Sequence, residues 1–132
     1  MPSNLALFMI DLNGLKNVND NKGHEAGDKM ICNAAQYIKN VFGSSGRVFR
    51  IGGDEFIVFT ETDKAGAEKI LARLDGTSTD HAEEMPKDLS LASGFALASE
   101  YPNLNCERLA RKCIKQKTSI TCHIKSREEN YS

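Results

Sequence analysis

The chain of 132 residues has no long apolar run, no signal-peptide pattern and no excess of charge of either sign. Its longest apolar run, residues 5–10, has six residues, whereas a helix that crosses a bilayer needs about 20. Seventeen basic and eighteen acidic residues give a net charge of −1, which argues against a surface that binds nucleic-acid phosphates or anionic membranes. We therefore expect one cytoplasmic domain with no direct contact to nucleic acid or membrane.

Cysteine pairing is also absent from the sequence. The four cysteines form no C-x-x-C pair and no regular spacing: Cys32, Cys106, Cys113 and Cys122. Reduced thiols are expected in a cytoplasmic domain, and a structural zinc site is not expected. Cys32 falls near the apolar face of a predicted helix, so we expect a buried, inert thiol there.

Apolar runs predict four strands. Residues 5–10 are continuously apolar, which is typical of a central strand covered on both faces, and a polar turn follows at residues 11–14. Two short runs, residues 48–51 and 56–59, flank a glycine-rich turn and predict a hairpin. A last strand is predicted over residues 89–97.

Helices are predicted between these strands. Apolar residues at three- and four-residue steps predict a helix from Asp28 to the glycine-serine turn at residues 43–46. A second helix is predicted around residues 67–74, with Asp63 as its N-cap, and a weaker pattern covers residues 104–115. The order β-α-β-β-α-β-α predicts a ferredoxin-like α/β sandwich.

Acidic residues stand at the ends of two strands that we expect to be neighbours. Asp11 follows the first strand, and Asp54 and Glu55 lie in the hairpin turn. Antiparallel central strands would bring these carboxylates to one edge of the sheet, where their oxygens suit Mg²⁺. Two such ions would suit phosphoryl or nucleotidyl transfer. The alternative is that Asp11 only opens a turn and the other two only decorate a hairpin.

Two long motifs surround these carboxylates. The first reads D-L-N-G-L-K-N-V-N-D over residues 11–20 and continues to G-H-E-A-G-D over residues 23–28. The second reads R-I-G-G-D-E-F over residues 50–56. At this separation the motifs resemble the GGDEF family, the diguanylate cyclase domains, over residues 5 to 109. The resemblance implies a mostly antiparallel, nucleotide-cyclase or palm-type sheet flanked by helices.

The resemblance also implies an activity. Two GTP molecules would condense to cyclic di-GMP with loss of two pyrophosphates, between two facing GGDEF domains that each hold one GTP. A sensor module would precede the domain in the full-length protein. A first alternative is an impaired module that binds GTP and regulates a partner. A second is an interaction domain that binds no nucleotide.

Metal and catalytic roles follow from the resemblance. The family's metal ligands, for Mg²⁺ with Mn²⁺ as an alternative, correspond to Asp11, Asp54 and the carbonyl of Leu12. Asp54 or Glu55 would help to deprotonate the ribose 3′-hydroxyl. Lys16 corresponds to a lysine that offsets charge developing on the phosphates.

Substrate-binding roles follow in the same way. The backbone N–H groups of Gly14 and Leu15 would cradle the phosphates. Asn19 and Asp28 correspond to positions that read the guanine edge, which an amide and a carboxylate can complement together. Alternatively, Asp28 is only a favourable charge near a helix N-terminus. The motif histidine, His24, is expected to orient its neighbours rather than act as a general base.

The sequence departs from the family pattern at both ends and before the hairpin. A helix with the motif D-x-L-T-x-L-x-N-R usually precedes the first strand, so we expect residues 1–132 to be one domain truncated at that helix. The product-inhibition motif R-x-x-D falls on Gly43 and Gly46, so we expect no inhibition by cyclic di-GMP there.

The tail, about residues 110–132, lacks the usual ending A-D-x-x-M-Y-x-x-K, and a one-base frameshift in the coding DNA is one hypothesis for it. Intact metal and guanine residues predict an active parent protein. The missing helix and the tail predict weak or absent turnover by this chain.

Overall fold

The apolar run near the start of the chain forms β1, Leu5–Leu12, in the middle of a four-stranded sheet. The computed structural model describes residues 4–80 and 84–100. Its other strands are β2 (Arg47–Arg50), β3 (Glu55–Glu61) and β4 (Leu91–Leu97). The sheet order is β2-β3-β1-β4, and all three pairings are antiparallel. The predicted hairpin and the α/β sandwich with a mostly antiparallel sheet are thus confirmed.

Three helices connect the strands: α1 (Leu15–Lys22), α2 (His24–Phe42) and α3 (Lys64–Asp75). Short 3₁₀ turns follow at Gly43–Ser45 and Ala98–Glu100. No helix within the described ranges is long and apolar enough to span a membrane. The predicted last helix and the atypical tail lie outside the described residues.

The helix predictions differ from the structure at the start of α2. This helix begins at His24, four residues before the predicted start at Asp28. The sequence pattern did not reveal α1, because Leu15 is its only buried residue and an apolar stripe is therefore missing. The predicted cap of α3 is confirmed, since the Asp63 side chain accepts a hydrogen bond from the Gly66 N–H at 2.8 Å.

The main core lies between one face of the sheet and helices α2 and α3. Its largest fully buried side chains come from both layers: Phe8, Ile10, Leu12, Ile38, Val58, Leu74, Leu91 and Phe95. On the opposite face of the sheet, Leu7 and Ile57 are also buried, at 0% and 2% exposure. The prediction that β1 is covered on both faces is therefore confirmed, and each such side chain contributes about 1.5–3 kcal/mol of burial free energy.

The expectation of a buried Cys32 is wrong, because this side chain is exposed on α2. Ala34 and Ile38 of the same helix are fully buried. Each helical residue is rotated about 100° from the one before it, so Cys32 points away from the side that Ala34 buries. The other three cysteines lie outside the described residues.

A polar brace joins the C-terminal halves of α2 and α3 to the segment before β4. The Tyr37 hydroxyl of α2 donates a hydrogen bond to the Arg73 carbonyl of α3. The Arg73 guanidinium forms a two-pronged ion pair with Glu84 and also donates to the Val41 carbonyl at 3.2 Å. These contacts therefore hold α2, α3 and the segment before β4 together.

Tyr37→Phe is expected to lower the free energy of unfolding by about 1 kcal/mol at neutral pH. Burial of the hydroxyl, with Glu84 beside it, raises the pKa of Tyr37 to about 12. The native state thus keeps a proton that the unfolded chain loses first, and the benefit of the tyrosine declines as the pH rises from about 10 to about 12. Urea titrations of both proteins at about pH 8 and about pH 11 measure this decline. Identical pH dependence in the two proteins would contradict it.

Candidate active site

Strand register places three carboxylates at one end of the sheet. Asp11 is the partner of Glu55 across β1 and β3. The Leu12 N–H donates to the Asp54 carbonyl at 2.7 Å, which continues the pairing one residue into the hairpin turn. One ligand atom each from Asp11, Asp54 and Glu55 lies within 4.8 Å of the others, and all three residues are partly buried. The structure therefore brings together the acidic residues that the sequence singled out.

The donor set of this cluster fits a hard divalent cation. It offers only carboxylate oxygens, and their close spacing concentrates negative charge that a cation would neutralise. Mg²⁺ favours such oxygens and completes its shell with waters and substrate phosphates. Acidic clusters also occur on proteins that bind no metal. The assignment of a cation site therefore depends on the turns and the helix around this cluster.

Arg50 stabilises the hairpin turn that carries Asp54 and leads into Glu55, the first residue of β3. Its guanidinium donates to the carbonyls of Gly52 and Gly53, each at 3.1 Å. The Ile51 N–H donates to the Glu55 carbonyl at 3.0 Å and closes the turn. Sequence reasoning noted Arg50 only as part of a motif. These contacts show that it holds the shape of the turn.

A glycine turn leads from the carboxylates into α1. Gly14 has φ of +83°, a left-handed conformation that residues with a Cβ rarely adopt. Helix α1 then begins at Leu15. The first N–H groups of a helix lack intrahelical acceptors and can face an anion. Lys16 follows on the exposed first turn. The predicted phosphate-binding residues thus lie within one helical turn of the end of β1.

Close packing of α1 against α2 places Asn19, one of the two predicted guanine-reading residues, beside Gly27. A Cβ built on Gly27 would lie 1.7 Å from the Asn19 Oδ1. The Asn19 side chain therefore rests on the backbone of α2, immediately before Asp28. His24 and Asp28 are both exposed, and His24 is the first residue of α2.

Sequence reasoning missed the role of Gly27. A glycine inside a helix costs about 1 kcal/mol relative to alanine, which is a sign that some other contact requires it. The contact is the Asn19 side chain, which occupies the space of the missing methyl group.

Comparison with known proteins finds a matching family model and similar relatives. The family model described as "Diguanylate cyclase, GGDEF domain" matches residues 1–120. The chain is 32% identical over 111 residues to the diguanylate cyclase DgcS of Shewanella oneidensis, covering 84% of this chain and 37% of that protein. It is 36% identical over 104 residues to the diguanylate cyclase DosC of Escherichia coli, covering 75% and 23%. It thus spans well under half the length of these relatives.

Solved structures give the same result. A microbial GGDEF domain studied for its interaction with cyclic di-GMP is 27% identical, with a TM-score of 0.63, and the match covers 84% of this chain and 66% of that one. The GGDEF domain of YfiN (TpbB) from Pseudomonas aeruginosa is 34% identical, with a TM-score of 0.56, covering 73% and 59%. The sequence comparison and the fold comparison therefore both point to GGDEF domains.

Proposed function

The chain belongs to the GGDEF family of diguanylate cyclase domains, and from this premise we propose that it condenses two GTP molecules into cyclic di-GMP with release of two pyrophosphates, at the weak rate that its atypical tail predicts. The observation that carries the proposal is the cluster of Asp11, Asp54 and Glu55 at the end of β1. It lies beside a left-handed glycine turn and the start of a helix, where a triphosphate would fit. The fold alone would not support an activity.

We assign the metal ligands to Asp11, Asp54 and the carbonyl of Leu12, for Mg²⁺ or Mn²⁺. When bound, such an ion neutralises phosphate charge and makes a hydroxyl a better nucleophile. Glu55 lies opposite Asp11 in the strand register, and in this proposal Asp54 or Glu55 helps to deprotonate the ribose 3′-hydroxyl. The hydrogen bonds from Arg50 keep the turn that carries these two acids in shape.

The substrate-binding assignment follows the order of the chain. Gly14 and Leu15 supply backbone N–H groups to the phosphates, and Lys16 offsets their charge on the first turn of α1. Asn19 and Asp28 read the guanine edge at the contact between α1 and α2, with His24 orienting this end of α2. Along α1, Leu15 and Asn19 are separated by about 6 Å, so phosphate and base contacts succeed each other on one helix.

Catalysis in this proposal needs a second copy of the domain. One site of this kind holds one GTP, whereas the product contains two nucleotides. Two domains therefore face each other as a homodimer, each presenting its own GTP. In the full-length protein, a sensor module would control this encounter, and the site is expected to work in the cytoplasm, where GTP is available.

A regulatory module that binds GTP without turnover is the second candidate. The observation that favours it is the tail sequence. Residues 110–118 do not place a lysine where the family's usual ending, A-D-x-x-M-Y-x-x-K, has one. Incubating the chain at high concentration with GTP and Mg²⁺, followed by product chromatography and calorimetry, separates the two. Cyclic di-GMP supports the cyclase, and GTP binding without product supports the regulatory module. Absence of both leaves an interaction domain and contradicts the proposal.

Inhibition by cyclic di-GMP at the family's product site is not expected. Gly43 and Gly46 stand where the motif has arginine and aspartate. Gly43 has φ of +63°, and a Cβ on Gly46 would lie 2.5 Å from the Phe42 Cβ, so an aspartate does not fit this turn without a shift of the backbone. Titrating product into the GTP reaction should show only inhibition that GTP competes away. Noncompetitive inhibition that is lost on changing this turn would contradict the prediction.

A further inference from the structure

The end of β1 is tied to the entry of β4 by two hydrogen bonds between one pair of residues. The Asn13 N–H donates to the Ser90 carbonyl at 2.9 Å, one step beyond the last ladder pair of Leu12 and Leu91. The Asn13 Nδ2 also donates to the Ser90 Oγ at 3.0 Å. Since the Leu12 N–H is bonded to Asp54 on the other side, the end of β1 is held from both neighbouring strands.

Burial of the Asn13 side chain, with an oxygen unpaired within the described ranges, lowers the stability of the folded state. Asn13 is 5% exposed, and its Oδ1 has no hydrogen-bond partner among the described residues. A buried acceptor without a partner is unfavourable, and an apolar side chain of similar size would avoid that cost. What the asparagine adds is a side-chain donor aimed at Ser90. Its presence is therefore explained better by what it holds in place than by its own contribution to stability.

We propose that Asn13 is a positioning residue, which acts through Ser90 to hold the turn between Leu12 and Leu15 in the orientation that the metal and phosphate sites need. The inference rests on the proposed cyclase activity. Asn13 lies between the Leu12 carbonyl, assigned to the metal, and the N–H groups of Gly14 and Leu15, assigned to the phosphates. A rotation of the backbone at this residue would redirect both sets of groups at once.

This placement predicts an effect on turnover more than on recognition of the base. The base is assigned to Asn19 and Asp28, which lie at least one helical turn beyond Leu15, so its contacts should change less than those of the metal and the phosphates. Loss of the side-chain hydrogen bond leaves the Asn13 N–H bond to the Ser90 carbonyl in place, so the strand pairing and the fold persist. The turn then samples other orientations, which lowers kcat/KM for GTP and raises the Mg²⁺ concentration needed for half-maximal rate.

The test compares three variants at two serines: Ser90, which is half-buried just before β4, and Ser93, which is buried within β4. Ser90→Ala is expected to lower kcat/KM for GTP roughly fivefold to tenfold, because the same turn carries the metal and phosphate groups, and Ser90→Thr, which keeps the hydroxyl, is expected to restore it. Ser93→Ala is the matched control. Its hydroxyl is 3% exposed and has no partner among the described residues, so its loss should leave kcat/KM unchanged.

Hydrogen exchange of the ligand-free protein provides a readout that does not depend on activity. Ser90→Ala should speed exchange of the Val18 amide, which donates to the Gly14 carbonyl of this turn at 3.0 Å, and leave the β1–β3 ladder protected, whereas Ser93→Ala should leave both unchanged. If the wild-type chain neither binds nor converts GTP, the proposed function fails while these exchange rates still decide the structural role. Equal kinetics and equal exchange in Ser90→Ala and Ser93→Ala would overturn the role of Asn13.

Discussion

Asp54→Asn is expected to lower the rate of cyclic di-GMP formation by at least about 100-fold, because it removes the charge of a proposed metal ligand, and such a ligand contributes several kcal/mol to transition-state stabilisation. Asparagine keeps the shape of the side chain and one oxygen but loses the charge. The backbone carbonyl of Asp54, which accepts the Leu12 N–H, is untouched. Product chromatography with saturating GTP and Mg²⁺ measures the change.

Thermal unfolding separates a role in the site from a role in the fold. The ligand atoms of Asp11, Asp54 and Glu55 lie within 4.8 Å of one another, so their charges repel when no cation is bound. In chelator, the melting temperature of Asp54→Asn should therefore equal or exceed that of the wild type. Added Mg²⁺ should raise the melting temperature of the wild type and have much less effect on the variant, since ligands stabilise only the state that binds them.

Glu61→Gln is the matched control, since Glu61 is an exposed acid at the far end of β3, the strand that begins directly after Asp54. It should retain wild-type activity and the wild-type response to Mg²⁺. Full activity in Asp54→Asn, or the same loss in both variants, would contradict the assignment of Asp54. Loss of activity together with a lower melting temperature in chelator would indicate that Asp54 serves the fold instead.

The architecture was predictable from the sequence because its signals are local. The apolar run that forms β1 and the glycine turn between β2 and β3 each depend on a few adjacent residues. If β1 and β3 are antiparallel neighbours, the strand ends that carry Asp11 and Glu55 meet at one edge of the sheet, although the exact register came from the structure. The acidic part of the candidate site could therefore be predicted from the chain.

Contacts between distant segments could not be predicted in this way. Asn13 and Ser90 are 77 positions apart, and nothing in either sequence neighbourhood indicates their pairing. Helix α1 was missed because it buries one residue, so tertiary packing and the left-handed Gly14 decide its conformation instead of an apolar stripe. Cys32 was misplaced because its neighbours in sequence face the core while its own helical angle does not.

Gly27→Ala is the second large effect, and it should change stability and binding in opposite directions. Alanine favours the helical conformation by about 1 kcal/mol over glycine, so the intrinsic stability of α2 should rise. The added Cβ would lie 1.7 Å from the Asn19 Oδ1, so this side chain must leave its place on α2. Because the proposed guanine contact of Asn19 is then lost, GTP affinity should fall by about tenfold or more.

A double-mutant cycle assigns this loss to the contact between the two helices. Asn19→Ala removes the oxygen that the new methyl group would strike, so Gly27→Ala should cost little further affinity in that background. Cys32→Ala, an exposed substitution on the same helix, should leave GTP affinity unchanged. Calorimetry measures the GTP affinity of each variant, and thermal unfolding measures its stability. Additive losses of affinity from the two substitutions would show that Gly27 acts elsewhere, whereas a strongly coupled pair means that the glycine exists to let Asn19 reach the base.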